Sequence, residues 1–401
     1  MLRLLLVALA LAVSAAHAQP VPEILPLGPL AVEAGGTALP LQPVAAAADG
    51  GGFVVVAVVT GDDVGDERER PWVLRLDADG AVAEARPLAS QAGRVQRVFE
   101  PRFAPTMRPD GDGWLVGGVF RGEAGGLSLR AVRIAPDLTS RVNVERRLGG
   151  DANVDLFDVL RLSDELVLFS GGALVQGGLR TVPVALAVSP DGAERALLPA
   201  AELHEEITTA AVLGRHLVLG GWTRTADGRT TVVRVFDEQL RQVGARTFTS
   251  PGFPEGPRVV AIGEGRAFLA AALPDSTARG TERLLAAVLD APGAEIAGTV
   301  WAAERTEVDY TLDAVGALPG TGLVMLARAP VGGARARAVV VRHAEGGDAG
   351  WTAPVGGVAE RDGNVRVLAV GGTDALPLAL SARRDDADVW HLELARLRAA
   401  P

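Results

Sequence analysis

Short apolar runs recur along this 401-residue chain at a spacing of about fifty residues. One family of runs starts at Phe53, Trp114, Leu166, Leu217, Phe268, Leu323 and Leu376, with steps of 51 to 61 residues. A second family follows it, with starts at Trp72, Leu129, Val182, Thr231, Leu284, Ala338 and Val389. The runs are rich in valine and too short for ordinary helices, so we interpret them as strands. Seven copies of one strand unit indicate a repeat architecture.

Each unit has room for three or four short strands and shows no long helical pattern, which is typical of a propeller blade. We therefore predict an all-β, seven-bladed β-propeller of four-stranded antiparallel blades, formed by residues 19–401 as one domain. The last copy ends before a fourth strand, so we predict that Val21–Leu30 completes it and closes the ring. The predicted blades span approximately 42–88, 101–148, 154–199, 206–248, 257–300, 308–355 and 364–398 plus 21–30.

The turns after the second family of runs repeat the same residue types. The segment Leu74-Arg75-Leu76-Asp77-Ala78-Asp79-Gly80 ends in Asp and Gly, as do Pro190-Asp191-Gly192 and similar turns, because these residues favour tight turns. This pattern resembles the repeats of secreted bacterial β-propeller proteins over nearly the whole chain after residue 18. The resemblance implies the fold but no particular function, since propellers support binding, scaffolding and catalysis. In the competing interpretation, a doubly wound α/β protein, Ala193–Leu203 is helical, but that fold gives no reason for equal steps.

The composition excludes several kinds of chemistry. The chain has no lysine, so all 39 of its basic residues other than histidine are arginine, and it has no cysteine. This excludes lysine Schiff bases, the phosphate-loop lysine, thiol catalysis and cysteine metal sites. The net charge of −10 disfavours nucleic acid and anionic membranes as partners. We predict no cofactor.

The first 18 residues have the pattern of a secretory signal. Arg3 precedes an apolar run, and Ala16-His17-Ala18 is a small-x-small cleavage site, so we expect cleavage before Gln19. The alternative, an uncleaved anchor, is disfavoured because the run is shorter than the roughly 20 residues that span a bilayer. The prediction is a periplasmic or secreted monomer without membrane insertion.

The candidate ligand site is the mouth of the central channel, where the loops that lead into the first strand of each blade meet. Polar residues occupy these positions in the sequence: Gln42, Arg102, Asp155, Glu206, Arg258, Asp309, and Asn364 or Arg366. One interpretation is a collar that binds a polar small molecule, glycan or protein, with ligand residues Arg102, Asp155, Glu206, Arg258, Asp309 and Arg366. The other is a solvated rim whose charges pair with one another.

A more specific alternative is a glycan hydrolase. Arg102, Arg258 and Arg366, with the single tyrosine Tyr310, resemble sialidase active sites, in which arginines bind a carboxylate and tyrosine is the nucleophile. The Asp-box motif of that family, Ser-x-Asp-x-Gly-x-Thr-Trp, does not occur in the sequence. In addition, Asp309 and Tyr310 are adjacent on a predicted strand, so their side chains point to opposite faces.

Two segments have the composition of weak metal sites. Glu202, His204, Glu205 and Glu206 offer ligands for a divalent cation, and the acidic loop Gly61–Glu69 offers oxygen ligands for calcium. The histidines are scattered through the repeat, and Arg68 and Arg70 offset the acidic loop, so we predict no metal. Among the tryptophans, Trp222 and Trp301 are candidates for stacking on a ligand. We expect Trp72, Trp114 and Trp390, which belong to predicted strands, to pack between blades.

Overall fold

The computed structural model describes most of the chain after residue 21, and the account below concerns those residues. They are 22–34, 36–60, 71–88, 105–121, 127–148, 153–175, 180–198, 204–225, 228–248, 258–263, 266–274, 282–290, 300–302, 311–318, 322–332, 335–343, 351–361, 364–373 and 376–397. The predicted signal segment, residues 1–18, lies outside them. None of the described elements is a helix of the length and apolarity needed to cross a bilayer.

The described residues form seven antiparallel sheets, which we number as blades 1 to 7 in chain order. Blade 1 is β2 (Ala31–Ala34), β3 (Thr37–Asp49), β4 (Gly52–Val59), β5 (Pro71–Leu76) and β6 (Val82–Pro87). Blade 2 is β7 (Thr106–Asp110), β8 (Gly113–Arg121), β9 (Leu127–Ile134) and β10 (Ser140–Arg147). Blade 3 is β11 (Asn153–Ser163), β12 (Leu166–Val175), β13 (Arg180–Val188) and β14 (Glu194–Ala196). Blade 4 is β15 (Glu205–Leu213), β16 (His216–Thr225), β17 (Gly228–Phe236) and β18 (Gln242–Phe248).

The remaining blades follow the same up-and-down order. Blade 5 is β19 (Arg258–Gly263), β20 (Arg266–Pro274), β21 (Glu282–Asp290) and β22 (Val300–Ala302). Blade 6 is β23 (Thr311–Leu318), β24 (Gly322–Gly332), β25 (Arg335–His343) and β26 (Trp351–Pro354). Blade 7 is β27 (Val365–Thr373), β28 (Leu376–Arg384), β29 (Trp390–Arg396) and the N-terminal strand β1 (Glu23–Pro29). Within each blade, consecutive strands pair as antiparallel hairpins. The short valine-rich runs of the repeat correspond to these strands.

The first long strand of each blade lies at the centre of the molecule. These inner strands are in contact in the order β3, β7, β11, β15, β19, β23 and β27, and β27 returns to β3. The sheets are therefore arranged radially in a closed ring, which is the β-propeller architecture. The number of sheets among the described residues is consistent with the predicted seven blades. Buried aliphatic clusters lie between neighbouring sheets, as where Val54 and Val73 of blade 1 face Val116 and Val132 of blade 2.

The N-terminal strand completes blade 7, as the sequence predicted. β1 pairs antiparallel with β29, with Leu25 opposite Leu394, and Leu25 and Leu27 pack on the core shared by blades 7 and 1. The backbone N–H of Leu30 also donates to the carbonyl of Trp390 at 2.9 Å. A sheet edge that the last repeat would leave open is thus covered by the other end of the chain.

Blade 1 has a fifth strand that the repeat did not predict. β2 folds back on the first residues of β3, with Val32 opposite Leu39, immediately after the chain leaves blade 7. Both of these side chains are buried in the core shared by blades 7 and 1. The hairpin formed by β2 and β3 therefore contributes to the interface between blades 7 and 1, where the ring closes.

The described turns between the third and fourth strands of blades 1 to 4 share one geometry with the turn between the second and third strands of blade 7. In each of these turns a carbonyl accepts from the N–H three positions later, and that later residue is left-handed: Gly80, Leu138, Gly192, Leu240 and Asp388. Aspartates cap these turns. Asp77 Oδ1 accepts from the backbone N–H groups of Asp79 and Ala81, both at 2.9 Å, so this carboxylate caps the turn. The same capping by the N–H of Arg241 lowers the pKa of Asp237.

The left-handed turn residue predicts a measurable cost for a side chain at Gly192. Its φ is +85° and a Cβ there would meet no atom within 4 Å, so Gly192→Ala should lower the free energy of unfolding by about 1–2 kcal/mol through backbone strain alone. Gly51→Ala is the matched control, because its surroundings are equally open but its φ is not in the left-handed region. Denaturant unfolding of both variants tests this; equal effects at the two positions would contradict it.

Candidate ligand site in the central channel

A cavity of about 1140 Å³ occupies the centre of the ring. Residues of all seven blades line it, because each inner strand presents one face to the axis. Several inner strands contain a register shift at the same place, as at Pro43/Ala45, Leu156/Asp158 and Val367/Ala369. A bulge changes the direction of the side chains around it. The extra residues Val44, Phe157, Thr208 and Leu368 all line the cavity.

Three of the predicted ligand residues line this cavity. Asp155, Arg258 and Arg366 lie at the beginning of β11, β19 and β27, and all three border the channel. The inner strands repeat one direction along the axis, so the beginnings of β11 and β27 lie at the same end of the channel, which we call the mouth. Arg258 lies further along the axis, because it pairs with Ala270, four residues after the start of β20, whereas Asp155 and Arg366 pair with Gly172 and Ala382, six residues after the starts of β12 and β28. The structure therefore brings together residues that are more than one hundred positions apart in sequence.

Contacts with neighbouring blades position two of these arginines. Arg258 Nη1 donates to the backbone carbonyl of Thr208 on β15 at 2.6 Å. The guanidinium of Arg366 lies 5.4 Å from the ring centroid of Trp390. With the Gln42 amide oriented so that its oxygen faces Arg366, that oxygen accepts from Nη2 at 2.6 Å and from Nε at 3.2 Å. Gln42 is the residue that the sequence places at the mouth in blade 1, so a side chain of blade 1 contacts a mouth arginine of blade 7.

Glu206, another of the predicted ligand residues, contacts a tryptophan of its own blade. Its Oε2 accepts from Trp222 Nε1 at 2.6 Å, and the His204 ring lies 5.9 Å from that of Trp222. Trp222 is only 3% exposed. The prediction that Trp222 stacks on a ligand is therefore wrong, because its ring packs inside blade 4 and its N–H is bound to a carboxylate. Trp72, Trp114 and Trp390 are buried, as predicted for packing.

Some of the sequence candidates lie outside the described residues. These are Arg102, Asp309, Tyr310, Glu202, the acidic loop Gly61–Glu69 and the side chain of Trp301. Within the described part of the chain, no three metal-ligating side chains cluster. Of the histidine-containing candidate, Glu205 is fully buried and bound by Arg234, with Nε and Nη2 at 2.9 and 2.7 Å from its two oxygens. Those oxygens are therefore engaged by a guanidinium.

The channel contains charged residues that the sequence analysis missed. Arg328, near the end of β24, pairs in register with the first residue of β23 and so reaches the mouth. Arg108 of β7 lines the channel and donates to both carboxylate oxygens of Asp158 on β11, with Nε at 2.6 Å. Neither arginine begins an inner strand, which is the only position at which the repeat predicts a residue of the mouth. The 50-residue step between Arg108 and Asp158 was the signal that could have paired them.

The wall beyond the mouth has its polar groups satisfied by neighbouring blades. Asp158 also accepts from the backbone N–H groups of Val159 at 2.9 Å and Ala210 at 2.8 Å. Thr209 Oγ1 in turn accepts from the N–H of Val259 at 3.1 Å. These contacts link blades 2, 3, 4 and 5 around the channel and neutralise the one buried aspartate among its described lining residues.

The described residues that line the channel include more arginines than carboxylates, although the whole chain is acidic. The arginines are Arg108, Arg258, Arg328 and Arg366, and the carboxylates are Asp155 and Asp158. Since Arg108 and Asp158 neutralise each other, three arginines and one carboxylate remain in the neighbourhood of the mouth. The net charge of the whole chain is −10, so this local excess opposes the overall balance.

Comparison with known proteins supports the fold and gives no function. No family model and no curated protein matches the sequence. Among solved structures the chain is similar to the phage phi92 endosialidase, with a TM-score of 0.51 and 8% identity over 95% of this chain and 70% of that one. Two further similarities have TM-scores below 0.5. The β-propeller domain of the Trilobed protease from Pyrococcus furiosus gives 0.47 at 11% identity, over 90% and 99% of the two chains.

The other is Trypanosoma rangeli sialidase in complex with the inhibitor DANA, with a TM-score of 0.38 and 13% identity. That match covers 94% of this chain and 58% of the sialidase, so this chain spans less than two thirds of it. The similarity to the phage endosialidase, at 8% identity and a TM-score of 0.51, concerns fold alone. Together with the ring of antiparallel sheets, it identifies the chain as a β-propeller protein.

Proposed function

We propose that this protein is a binding β-propeller that takes a polar, negatively charged ligand at the mouth of its central channel. The observation that carries the proposal is that Arg258, Arg328 and Arg366, from three different blades, line the same cavity. Guanidinium groups bind carboxylates and phosphates through paired N–H donors. A positive site in a chain of charge −10 also favours an anion over a cation.

The competing explanation, a rim that pairs only with itself, is weakened by the charge count. Asp158 has its own arginine, and Glu206 is bound to Trp222. Asp155 is the one other carboxylate among the described residues of the lining. Among the described residues of the lining, arginines therefore outnumber carboxylates by four to two.

Replacing the mouth arginines tests the proposal. Arg258→Gln, Arg328→Gln and Arg366→Gln should each weaken binding of a carboxylate probe such as citrate by about tenfold or more, the usual loss for a charge-assisted hydrogen bond. Isothermal calorimetry of the native chain and each variant measures this. Arg241→Gln is the control, since Arg241 is an exposed arginine of a blade turn paired with Asp237. Equal citrate binding by native and mouth variants, or none by the native chain, would overturn the proposal.

A glycan hydrolase is the second candidate. Asp155 lines the same cavity as the arginines, which is the combination of carboxylate and cations that glycoside chemistry employs. The phage phi92 protein of similar fold is named an endosialidase. Release of a chromophore from an aryl sialoside, lost in Asp155→Asn, would favour this candidate over simple binding.

We also propose that the protein is a monomer that acts outside the cytoplasm. The signal-like residues 1–18 and the absence of cysteine support the location. Amino-terminal sequencing of protein recovered from the periplasm or medium, with Gln19 as the expected first residue, tests it.

A further inference from the structure

The side chain of Thr209 on β15 joins the inner strand of blade 4 to that of blade 5. Its hydroxyl accepts from the backbone N–H of Val259 at 3.1 Å and donates to the backbone carbonyl of the same residue at 3.4 Å. The hydroxyl also accepts from Arg108 Nη2 at 3.5 Å, so its one donor and two acceptor positions are all engaged. Thr209 is only 1% exposed, so bulk water does not compete for these contacts.

These contacts act on the residue that follows Arg258. Val259 comes directly after Arg258 in β19, so the hydroxyl of Thr209 holds the backbone from which that arginine side chain extends. The neighbour of Thr209 binds the side chain itself, because Arg258 Nη1 donates to the carbonyl of Thr208 at 2.6 Å. Thr208 and Thr209 therefore hold both the backbone and the guanidinium of one channel arginine.

The propeller fold does not require a hydrogen-bond acceptor at the position of Thr209. This residue follows the register shift of β15, and the residues that follow the same shift in blades 1, 6 and 7 are Ala45, Ala314 and Ala369. Alanine has no side-chain acceptor, yet these inner strands pair in the same way. The corresponding residue of blade 3 is Asp158, which accepts from the N–H of Ala210 at 2.8 Å. The hydroxyl of Thr209 is therefore a feature of the pair of blades that carries Arg258.

We propose that Thr209 is a positioning residue for the ligand contact of Arg258 and acts through the backbone of Val259. This inference rests on the proposed function, in which Arg258 binds an anion. A guanidinium recognises an oxyanion through directed N–H groups, so a shift of the backbone that carries it weakens binding. Thr209→Val keeps the shape of the side chain and removes the hydroxyl, and it should weaken citrate binding by about fivefold, the effect of one ordinary hydrogen bond. Thr209→Ser keeps the hydroxyl and should bind citrate within about twofold of the native chain.

Isothermal calorimetry with citrate measures these affinities, and a double-mutant cycle identifies the positioning role. In Arg258→Gln the further change Thr209→Val should not weaken binding, because the group that the hydroxyl positions is absent. Thr231→Val is the matched control: Thr231 is a fully buried threonine of the same blade, and its hydroxyl meets no hydrogen-bond partner among the described residues. Its loss should leave citrate binding unchanged.

Hydrogen exchange provides a measurement that needs no ligand. The segment Arg258–Gly263 should exchange faster in Thr209→Val than in Thr231→Val, because the N–H of Val259 loses its acceptor in the first variant alone. Mass spectrometry of peptides from this segment records the difference.

The outcomes separate this inference from the function on which it rests. If Thr209→Val weakens citrate binding as much in Arg258→Gln as in the native chain, or no more than Thr231→Val does, the positioning role is overturned and the anion site remains. Weak binding by Thr209→Ser, or unchanged exchange of the segment Arg258–Gly263 in Thr209→Val, also overturns it. If the native chain binds no citrate, the proposed function fails and the inference fails with it. Binding that is weakened in Thr209→Val, retained in Thr209→Ser and Thr231→Val, and not weakened further when Arg258→Gln is already present supports the inference.

Discussion

A chain in which Glu23–Pro29 is replaced by glycine and serine of equal length should lose at least about 5 kcal/mol of its free energy of unfolding. The replacement removes the outer strand of blade 7, with its ladder to β29, and the packing of Leu25 and Leu27 on the core between blades 7 and 1. It also uncovers a sheet edge at the joint of the ring. Denaturant unfolding followed by far-ultraviolet circular dichroism measures the loss.

A disulfide between β1 and β29 tests whether strengthening the closure of the ring stabilises the protein. Glu23 and Arg396 are register partners, and the chain has no cysteine of its own, so Glu23→Cys with Arg396→Cys creates a single defined pair. The oxidised form should exceed the reduced form of the same variant by about 2–4 kcal/mol, because the bond constrains a very long loop of the unfolded chain. An unchanged unfolding midpoint in the glycine–serine chain would show that the N-terminal strand does not hold the ring closed.

Arg234→Met should lower the free energy of unfolding by about 3–5 kcal/mol. Glu205 is 0% exposed and its two oxygens accept from Nε and Nη2 of Arg234. Removal of the arginine leaves a buried carboxylate without its bidentate partner. An isolated charge is unfavourable there because the local dielectric is low. Chemical denaturation of the purified variant measures the effect.

A second variant separates the buried charge from the loss of packing. Glu205→Leu combined with Arg234→Met removes both charges and should recover most of the stability, since apolar pairs often replace buried ion pairs without loss. Arg86→Met is the surface control, because Arg86 pairs with Glu84 in an exposed position, and it should cost less than about 1 kcal/mol. If Arg234→Met costs no more than Arg86→Met, the buried pair has no special role in blade 4.

The channel arginines explain why the site was only partly predictable. Arg258 and Arg366 were found because they stand at the beginning of inner strands, a position that the repeat defines. Arg328 was missed because it belongs to a second strand, and only the pairing of β24 with β23 brings it to the mouth. Arg108 was missed because its partner is on another blade.

Local rules were sufficient for the strands, the capped turns and the ring closure. The period gives seven strand units, the Asp and Gly residues give the turns, and counting strands in the last unit assigns the N-terminal segment to it. The fifth strand β2 was not predicted, because four residues beside a proline-containing strand have no periodic signal of their own.

The sequence alone therefore determined the architecture, because hydrophobic alternation and turn chemistry act between residues that are near in the chain and recur in every repeat. The tertiary structure alone decided which charges meet: Glu206 binds Trp222, Asp158 binds Arg108, and three arginines share one cavity. The physical reason is that ionic contacts depend on distances of a few ångströms between blades, and a register change of one residue redirects each side chain to the other face of its strand.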